Sequence, residues 1–267
     1  MRLRKYLSFL RAGLIEMVQY RLSLFIMVVG NLLYLILIYF LWKAIYASAG
    51  TDRVNGMTFS DTLIYLVLAT AMFTFMEMYA VWEIGRDIQS GKMVLNLLKP
   101  MKYRTYLFWS YSGTLVSHFL VTFLPTLIIV RIVTGDAIPL SWNLLLFLGA
   151  ALMAVVINYS IDFIVGTICI FTESIWGINI MKQVVVLLFS GATIPLAFFP
   201  DKIRTIAYCM PFQSIYNTPL SILLMKNPAP MDVLPMIGVQ FLWVVALTVI
   251  TSLFWHISIR QITVNGG

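Results

Sequence analysis

Residues 190–219 read SGATIPLAFFPDKIRTIAYCMPFQSIYNTP, and this stretch decides how the chain folds. It begins inside an apolar run, which is then interrupted by Gly191, Pro195 and Pro200. Unpaired backbone amides are not tolerated against lipid, so a proline-interrupted segment at this depth has to be buried in protein or line a polar cavity. The stretch therefore predicts a re-entrant element, and transport is the first function to consider.

The composition of the chain is that of an integral membrane protein. Of its 267 residues, 61% are hydrophobic and 11% are charged, and the mean hydropathy is +0.92. Ordinary soluble domains do not have this composition. The length accommodates about six spans of roughly 20 residues with their connections, and no additional soluble domain. We therefore expect a single transmembrane domain over residues 1–267.

Six apolar runs are long enough and poor enough in charge to be transmembrane helices. The predicted fold is therefore an all-α polytopic membrane protein with both termini on the same side of the membrane. The fifth run is the shortest, and it carries the interruption, so residues 190–233 are predicted to be re-entrant or external. The six runs are 22–47, 62–81, 106–130, 144–171, 184–199 and 234–257.

The distribution of basic residues predicts the orientation. If both termini are cytoplasmic, 12 of the 18 Lys and Arg residues lie on the cytoplasmic side. The positive-inside rule favours this arrangement, which also accounts for the net charge of +7. A nucleic-acid partner is not expected, because the chain offers no basic face on a soluble domain.

An amphipathic helix is predicted before the first span, within residues 1–21. Leu3, Leu7, Leu10, Leu14 and Met17 recur at spacings of three and four residues, with basic and polar residues between them. This pattern is typical of a helix that lies in the cytoplasmic interface of the membrane. The alternative is a frayed extension of the first span.

The largest cytoplasmic connection, residues 82–105, alternates charged and apolar residues. Ile84, Ile88 and Leu95 are predicted to share one face of a short helix, which either docks on a soluble partner or lies on the membrane. The segment from Gly85 to Met93 differs from a phosphate-binding loop, because its glycine spacing is one residue too long and Met93 replaces the Ser or Thr. We therefore expect no ATP site in this chain.

Two carboxylates lie inside predicted spans, where an unpaired charge is costly. Glu77 falls in the second run and Asp162 in the fourth, and Asn158 precedes Asp162 by one helical turn. They either pair with cytoplasmic basic residues, contact a substrate, or relay ions in a carrier. A metal site is not expected, because His118 and His256 lie on different spans without further ligands at suitable spacing.

In order and in motifs, the chain resembles the permease subunit of type-two ATP-binding cassette exporters, in the branch of short, six-span bacterial permeases. The resemblance covers nearly the whole chain. Thr172 stands where relatives often have tryptophan, which leaves the subfamily open. The resemblance begins with a basic N-terminal helix. It then rests on four segments: IGRDIQSGKMVLNLLKP at 84–100, FTESIWGI at 171–178, SGATIPLAFFP at 190–200 and PFQSIYNTP at 211–219.

The resemblance implies a coupling helix within residues 83–98 that transmits the motion of a separate ATPase subunit. ATP and Mg would bind to that ATPase, and this chain would hold no cofactor. The implied coupling residues are Glu83, Ile84, Arg86, Asp87, Ile88, Lys92 and Leu95.

The resemblance further implies external helices within residues 194–219 that cap the pathway. It also implies a second permease, identical or similar, and a place among the lipids of the bacterial cytoplasmic membrane. The expected activity is export of an amphipathic or hydrophobic molecule; the alternative is an ion-coupled carrier or channel that uses intramembrane carboxylates. Candidate pathway or gate residues are Glu77, Asn158, Asp162, Pro195, Phe198, Phe199, Pro200, Pro211 and Phe212.

Overall fold

The fold was analysed on a computed structural model that describes residues 2–135, 142–172, 175–226 and 229–261. Nearly all of these residues are helical, and one small hairpin of two strands follows the first long helix. The α-helices are α1 (Arg2–Gln19), α2 (Arg21–Ala49), α3 (Phe59–Met76), α4 (Ala80–Gln89), α5 (Lys92–Leu97), α6 (Tyr103–His118), α7 (Leu124–Thr134), α8 (Trp142–Ile168), α9 (Ile175–Phe189), α10 (Asp201–Cys209), α11 (Asn217–Leu224) and α12 (Pro230–Ser258); the strands are β1 (Arg53–Val54) and β2 (Met57–Thr58).

The all-α polytopic fold predicted from the apolar runs is confirmed. Within the described residues, five helical stretches are long and apolar enough to cross a membrane. Six spans were expected, and the difference lies in α9, which has 15 residues and is therefore about 22 Å long against an apolar core of about 30 Å. The five stretches are Phe25–Ala49, Phe59–Gln89, Tyr103–Thr134, Trp142–Ile168 and Pro230–Gln261.

The second span starts with a well-defined cap. The β-hairpin turns at Asn55 and Gly56, both of which have positive φ. Thr58 then forms a capping box with Asp61: its hydroxyl accepts a hydrogen bond from the Asp61 N–H at 3.1 Å, and its own N–H donates to the carboxylate at 3.2 Å. Such a box satisfies two backbone donors that a helix start leaves unpaired. The start of α3 is therefore determined locally.

The third span contains a π-helical turn at Phe119–Phe123, between α6 and α7. Phe123 is fully buried there and stacks on Phe147 of α8 at 5.1 Å between ring centroids, while Phe75 of α3 meets it edge-on at 5.4 Å. Aromatic pairs in these geometries contribute beyond the area they bury. The π turn, which the sequence pattern did not predict, places aromatic side chains in the centre of the bundle.

The N-terminal helix α1 is a separate helix that packs along α6. Tyr20 separates it from α2 with a non-helical ψ of 36°, so it is not an extension of the first span. Gly13 and Gly113 allow the two helices to touch, since a Cβ on Gly13 would lie 2.5 Å from the Gly113 backbone. The side chains of Leu3, Leu7 and Met17, on which part of the amphipathic prediction rested, lie outside the described part of the chain.

Helix α9 ends before the predicted end of the fifth apolar run at Phe199, and directly before the segment 190–233 that was predicted to be re-entrant. Helix α9 ends at Phe189, and Gly191 follows with a φ of +80°, a conformation that favours glycine. Two single 3₁₀ turns and the helices α10 and α11 then continue the chain. Helix α11 is buried: Leu220 and Leu223 are fully buried. Helix α9 ends before the apolar run does, because the chain turns back into the protein at Gly191.

Gln240 of α12 ties this segment to the bundle. Its side-chain amide donates to the carbonyl of Ser214 and to that of Ala150 on α8, each at 2.8 Å. The buried carbonyl of Ser214 is thereby paired, as a non-helical backbone within a membrane protein requires.

Candidate functional site

The second span is broken at residues 77–79, between α3 and α4. Glu77 ends α3 with an extended ψ of 115°. The break leaves the carbonyl of Met76 without its helical partner, and the Asn158 side-chain amide donates to it at 2.9 Å. Asn158 therefore positions the break from α8. Glu77 was predicted to lie inside a continuous span; instead it is exposed at the break, whereas Met78 is buried.

Asp162 is joined to Lys182 in a buried ion pair. The Lys182 Nζ lies 2.8 Å from the Asp162 Oδ1, and the two side chains are 14% and 1% exposed. Lys182 lies between the predicted runs 144–171 and 184–199, but α9 begins seven residues before it, at Ile175. A buried charge requires such a partner, so the pair fixes α8 against α9.

The break and the ion pair share a small polar cavity of 50 Å³. The structure thus brings together three residues that the sequence singled out, Glu77, Asn158 and Asp162. The contribution of α9 was missed. The sequence signal that could have identified α9 is a polar stripe, because Asn179, Lys182 and Gln183 recur at helical spacing. All three line the cavity, together with Val186.

A larger cleft of 520 Å³ lies on the other side of the break, between α1, α6 and the start of α2. Glu77 and Tyr79 line it from the break, and Glu16 lines it from α1. Its volume is in the range of ligand-binding clefts, and its wall combines carboxylates with tyrosine rings. Glu77 also lines the small polar cavity, so the break stands between the two spaces.

The predicted gate residues within residues 194–219 are spread over three turns. Pro195 precedes the 3₁₀ turn Leu196–Phe198, and Pro200 precedes α10. Pro211 precedes the second 3₁₀ turn, Phe212–Ser214. All three have φ between −54° and −67°, as a proline ring imposes. The prolines therefore stand at the turns between helices.

The aromatic gate candidates do not gather at one point. Phe198 packs edge-on against Trp42 of α2 at 4.6 Å between ring centroids. Phe199 and Phe212 are both half-buried, and Phe212 packs against the central core. The segment reaches the small polar cavity through Tyr216 instead, which stacks against Phe73 at 6.1 Å. Tyr216 was not among the predicted residues.

A second candidate region is the connection predicted to be cytoplasmic, which consists of α4, α5 and the turns around them. Asp87 is buried and accepts two hydrogen bonds, from the Asn96 amide at 2.6 Å and from the Tyr103 hydroxyl at 2.8 Å. The Tyr103 ring in turn stacks on Trp255 of α12 at 5.5 Å. Asp87 therefore holds the connection in a defined shape against the bundle, a role that its place among the predicted coupling residues did not reveal.

The single apolar face expected for this connection is not formed. Ile84 is fully buried, because α4 continues the second span and packs on α8; a Cβ on Gly166 would lie 2.7 Å from the Ile84 Cδ1. Ile88 is half-buried, and Leu95 is 67% exposed. The surface of the connection is formed instead by its far end, where Leu98 is 78% exposed.

The charged residues predicted for coupling are mostly on this surface. Arg86 and Lys92 are exposed. Arg86 pairs with Glu83 one turn earlier on α4, with 2.8 Å between nitrogen and oxygen. Exposed pairs of this kind contribute little to stability. Exposed cations also lie close to the two leucines in the chain: Lys92 precedes Leu95 by three residues, and Lys99 follows Leu98.

Comparison with known proteins gives one family. Residues 32–266 match the model of the ABC-2 family transporter protein. No curated protein matches the chain. The match runs from the first long span to beyond the last one, and so includes the helix break, the ion pair and the connection between α4 and α6. The chain therefore belongs to the ABC-2 family of transporters, as a multi-pass membrane component of transport.

Proposed function

We propose that this chain is the membrane-spanning subunit of an ATP-driven exporter, coupled to a separate ATPase subunit that binds ATP and Mg. Membrane subunits of the ABC-2 family work with ATP-binding cassette partners. The observation that carries the proposal is the exposure of four residues in the connection between α4 and α6, Arg86, Lys92, Leu95 and Leu98, which we call the docking surface. Leucines this exposed beside cations are typical of a protein contact.

The docking surface is connected rigidly to the spans. The helix that carries Arg86 is a continuation of the second span, and Asp87 anchors the turns that follow. A displacement of Leu95 or Leu98 by a bound ATPase is therefore transmitted to α4, and from α4 to the break at Glu77. This connection provides a route by which closure of an ATPase changes the cleft.

The cleft beside the break is proposed as part of the substrate path. Its mixture of carboxylate and tyrosine side chains suits an amphipathic molecule, and it lies next to α2, the span with the smallest buried share, 11%. A second permease, identical or similar, packed on α2 would cover this opening and place the path between two subunits. The proposed location is the bacterial cytoplasmic membrane, with both termini in the cytoplasm, because that orientation places most basic residues inside.

The test is gentle detergent purification of the tagged chain from its native host, with identification and stoichiometry of every co-purifying protein. We expect a soluble ATPase in equal numbers. A second permease in the complex would indicate a heterodimer, and its absence a homodimer. Recovery of the chain without an ATPase, with transport that depends on a proton gradient, would contradict the proposal and favour an ion-coupled carrier.

A variant sharpens the same experiment. Leu98→Glu should abolish recovery of the ATPase while leaving the protein inserted, because Leu98 is largely exposed and a carboxylate there opposes apolar contact. Leu98→Met keeps an apolar side chain and should retain the ATPase. Thr51→Glu, which changes an exposed residue near the β-hairpin, serves as the matched charge control. Full ATPase recovery with Leu98→Glu would exclude the docking surface as the site of contact with the ATPase.

A further inference from the structure

A groove of 770 Å³ lies at the end of the bundle where α6 begins and α12 ends. Helix α8 contributes Val156 and Tyr159, and α12 contributes Trp255 and His256. The outer face of α12 next to the groove is apolar and exposed: Leu253 is 60% exposed. The groove is therefore continuous with a surface that faces lipid in a membrane.

The groove carries positive charge. Lys102 and Arg104 line it where α6 begins. Arg260 adds a third cation, because its guanidinium donates a hydrogen bond to the His256 ring nitrogen Nε2 at 2.7 Å. No Asp or Glu lines the groove among the described residues, and none of them pairs with these three cations.

Arg104 is held in place by α12. Its Nη1 donates to the Ser252 hydroxyl at 2.6 Å and to the Thr248 carbonyl at 3.1 Å. Its own carbonyl accepts from the Tyr159 hydroxyl at 2.6 Å. A guanidinium has five N–H donors in a fixed plane, so one edge of Arg104 is anchored and the remaining donors stay available to an anion.

We propose that this groove binds the headgroup of an anionic phospholipid, with its acyl chains along the exposed face of α12. Basic pockets between transmembrane helices at the cytoplasmic end are suited to such headgroups. The aromatic and aliphatic walls distinguish the groove from a site for a free anion, because Phe108, Val156 and Trp255 match an apolar chain beside the charge. Trp255 also has the amphipathic ring favoured at the level of the headgroups.

The groove borders the connection that carries the docking surface, since Leu97 lines it, but the cations proposed to bind the headgroup are not part of the proposed contact with an ATPase. Lys102 and Arg260 belong to neither the docking surface nor the cleft beside Glu77. Lipid binding is therefore expected of the purified chain whether or not an ATPase is bound, and failure of one proposal does not decide the other.

The test uses the purified full-length chain, from which lipid has been removed by detergent exchange. Short-chain phosphatidylglycerol, phosphatidylcholine and inorganic phosphate are titrated separately at constant salt, and binding is measured by native mass spectrometry and by the shift in unfolding temperature. We expect phosphatidylglycerol to bind at least about ten-fold more tightly than phosphatidylcholine, and inorganic phosphate not to compete with it.

The variant Lys102→Gln/Arg260→Gln should weaken phosphatidylglycerol binding about 25-fold, since each cation near an anionic headgroup contributes about five-fold in affinity. Both side chains are exposed, so the fold is retained. Lys202→Gln removes an exposed cation from α10 and should leave binding unchanged. Equal affinity for both lipids, competition by phosphate, or the same loss with Lys202→Gln would overturn the proposal.

Discussion

At the scale of single residues, the most constrained feature is the ion pair of Asp162 and Lys182. Both charges lie inside the bundle, where each requires the other. The pair joins α8 to α9 at the edge of the small polar cavity. It is therefore a structural contact and also part of the cavity wall beside Glu77. The pairing of Asp162 with a cation explains how a carboxylate is accommodated at this depth.

Asp162→Asn should destabilise the protein by about 3–5 kcal/mol, because it leaves the Lys182 ammonium buried without a counter-ion. Asp162→Asn combined with Lys182→Met should recover most of this loss. The measurement is the unfolding free energy of the purified chain in denaturant. Glu83→Gln, which breaks the exposed pair with Arg86, is the control and should change stability by less than about 1 kcal/mol. A double variant as unstable as Asp162→Asn would show that the pair is not what holds α8 and α9.

At the scale of elements, α1 and α6 approach each other so closely that their backbones touch. Gly13 and Gly113 face each other, and a Cβ on Gly113 would lie 2.8 Å from the carbonyl oxygen of Phe9. Small residues allow such an approach, which van der Waals contact then stabilises. Because α1 forms one wall of the cleft, this contact also determines the width of the cleft.

Gly13→Ala should push α1 away from α6 and cost about 1–3 kcal/mol, since backbone atoms stand where the added methyl group would lie. The measurement is the unfolding temperature together with the rate of trypsin cleavage after Arg11, which is exposed on α1. Gly149→Ala is the matched control, because a Cβ at Gly149 meets nothing within 4 Å. Equal behaviour of the two variants would contradict a tight contact between the helices.

At the scale of the whole molecule, the topology depends on whether α9 crosses the membrane. The helix is shorter than the apolar core, and the turns after Ser190 extend its path through the protein. If α9 and the segment that follows complete a crossing, α10 lies on the side opposite both termini. The even number of spans then agrees with the distribution of basic residues.

The two cysteines test this topology without added labels. Cys209 at the end of α10 is exposed, and Cys169 after α8 is buried. We expect a membrane-impermeant maleimide to label Cys209 in intact spheroplasts and not in inside-out vesicles, with Cys169 protected in both. Cys209→Ser is the control and should abolish the labelling. With both termini in the cytoplasm, labelling of Cys209 from the cytoplasmic side alone would mean that α9 does not cross.

The sequence by itself determined the class of the protein, its family and the place where the fifth run breaks. Each of these depends on local chemistry. The length of an apolar run decides whether it spans a membrane, and Pro195, Pro200 and Pro211 favour the turns that precede short helical elements, since a proline is tolerated at a helix start and not in a helix interior. The region rich in charge between the second and third spans was recognisable for the same reason.

Only the tertiary structure decided which residues meet. The break at Glu77 could not be predicted from the local sequence, because it contains no glycine or proline. Asn158 stabilises it from another helix. Ile84 turned inward because Gly166 leaves room for it on α8, and Arg104 bonds to α12 at a residue 144 positions away. Composition and spacing describe one segment of the chain at a time. These contacts depend instead on how the helices pack, and helix packing is determined by side-chain volume and pairing across the whole bundle.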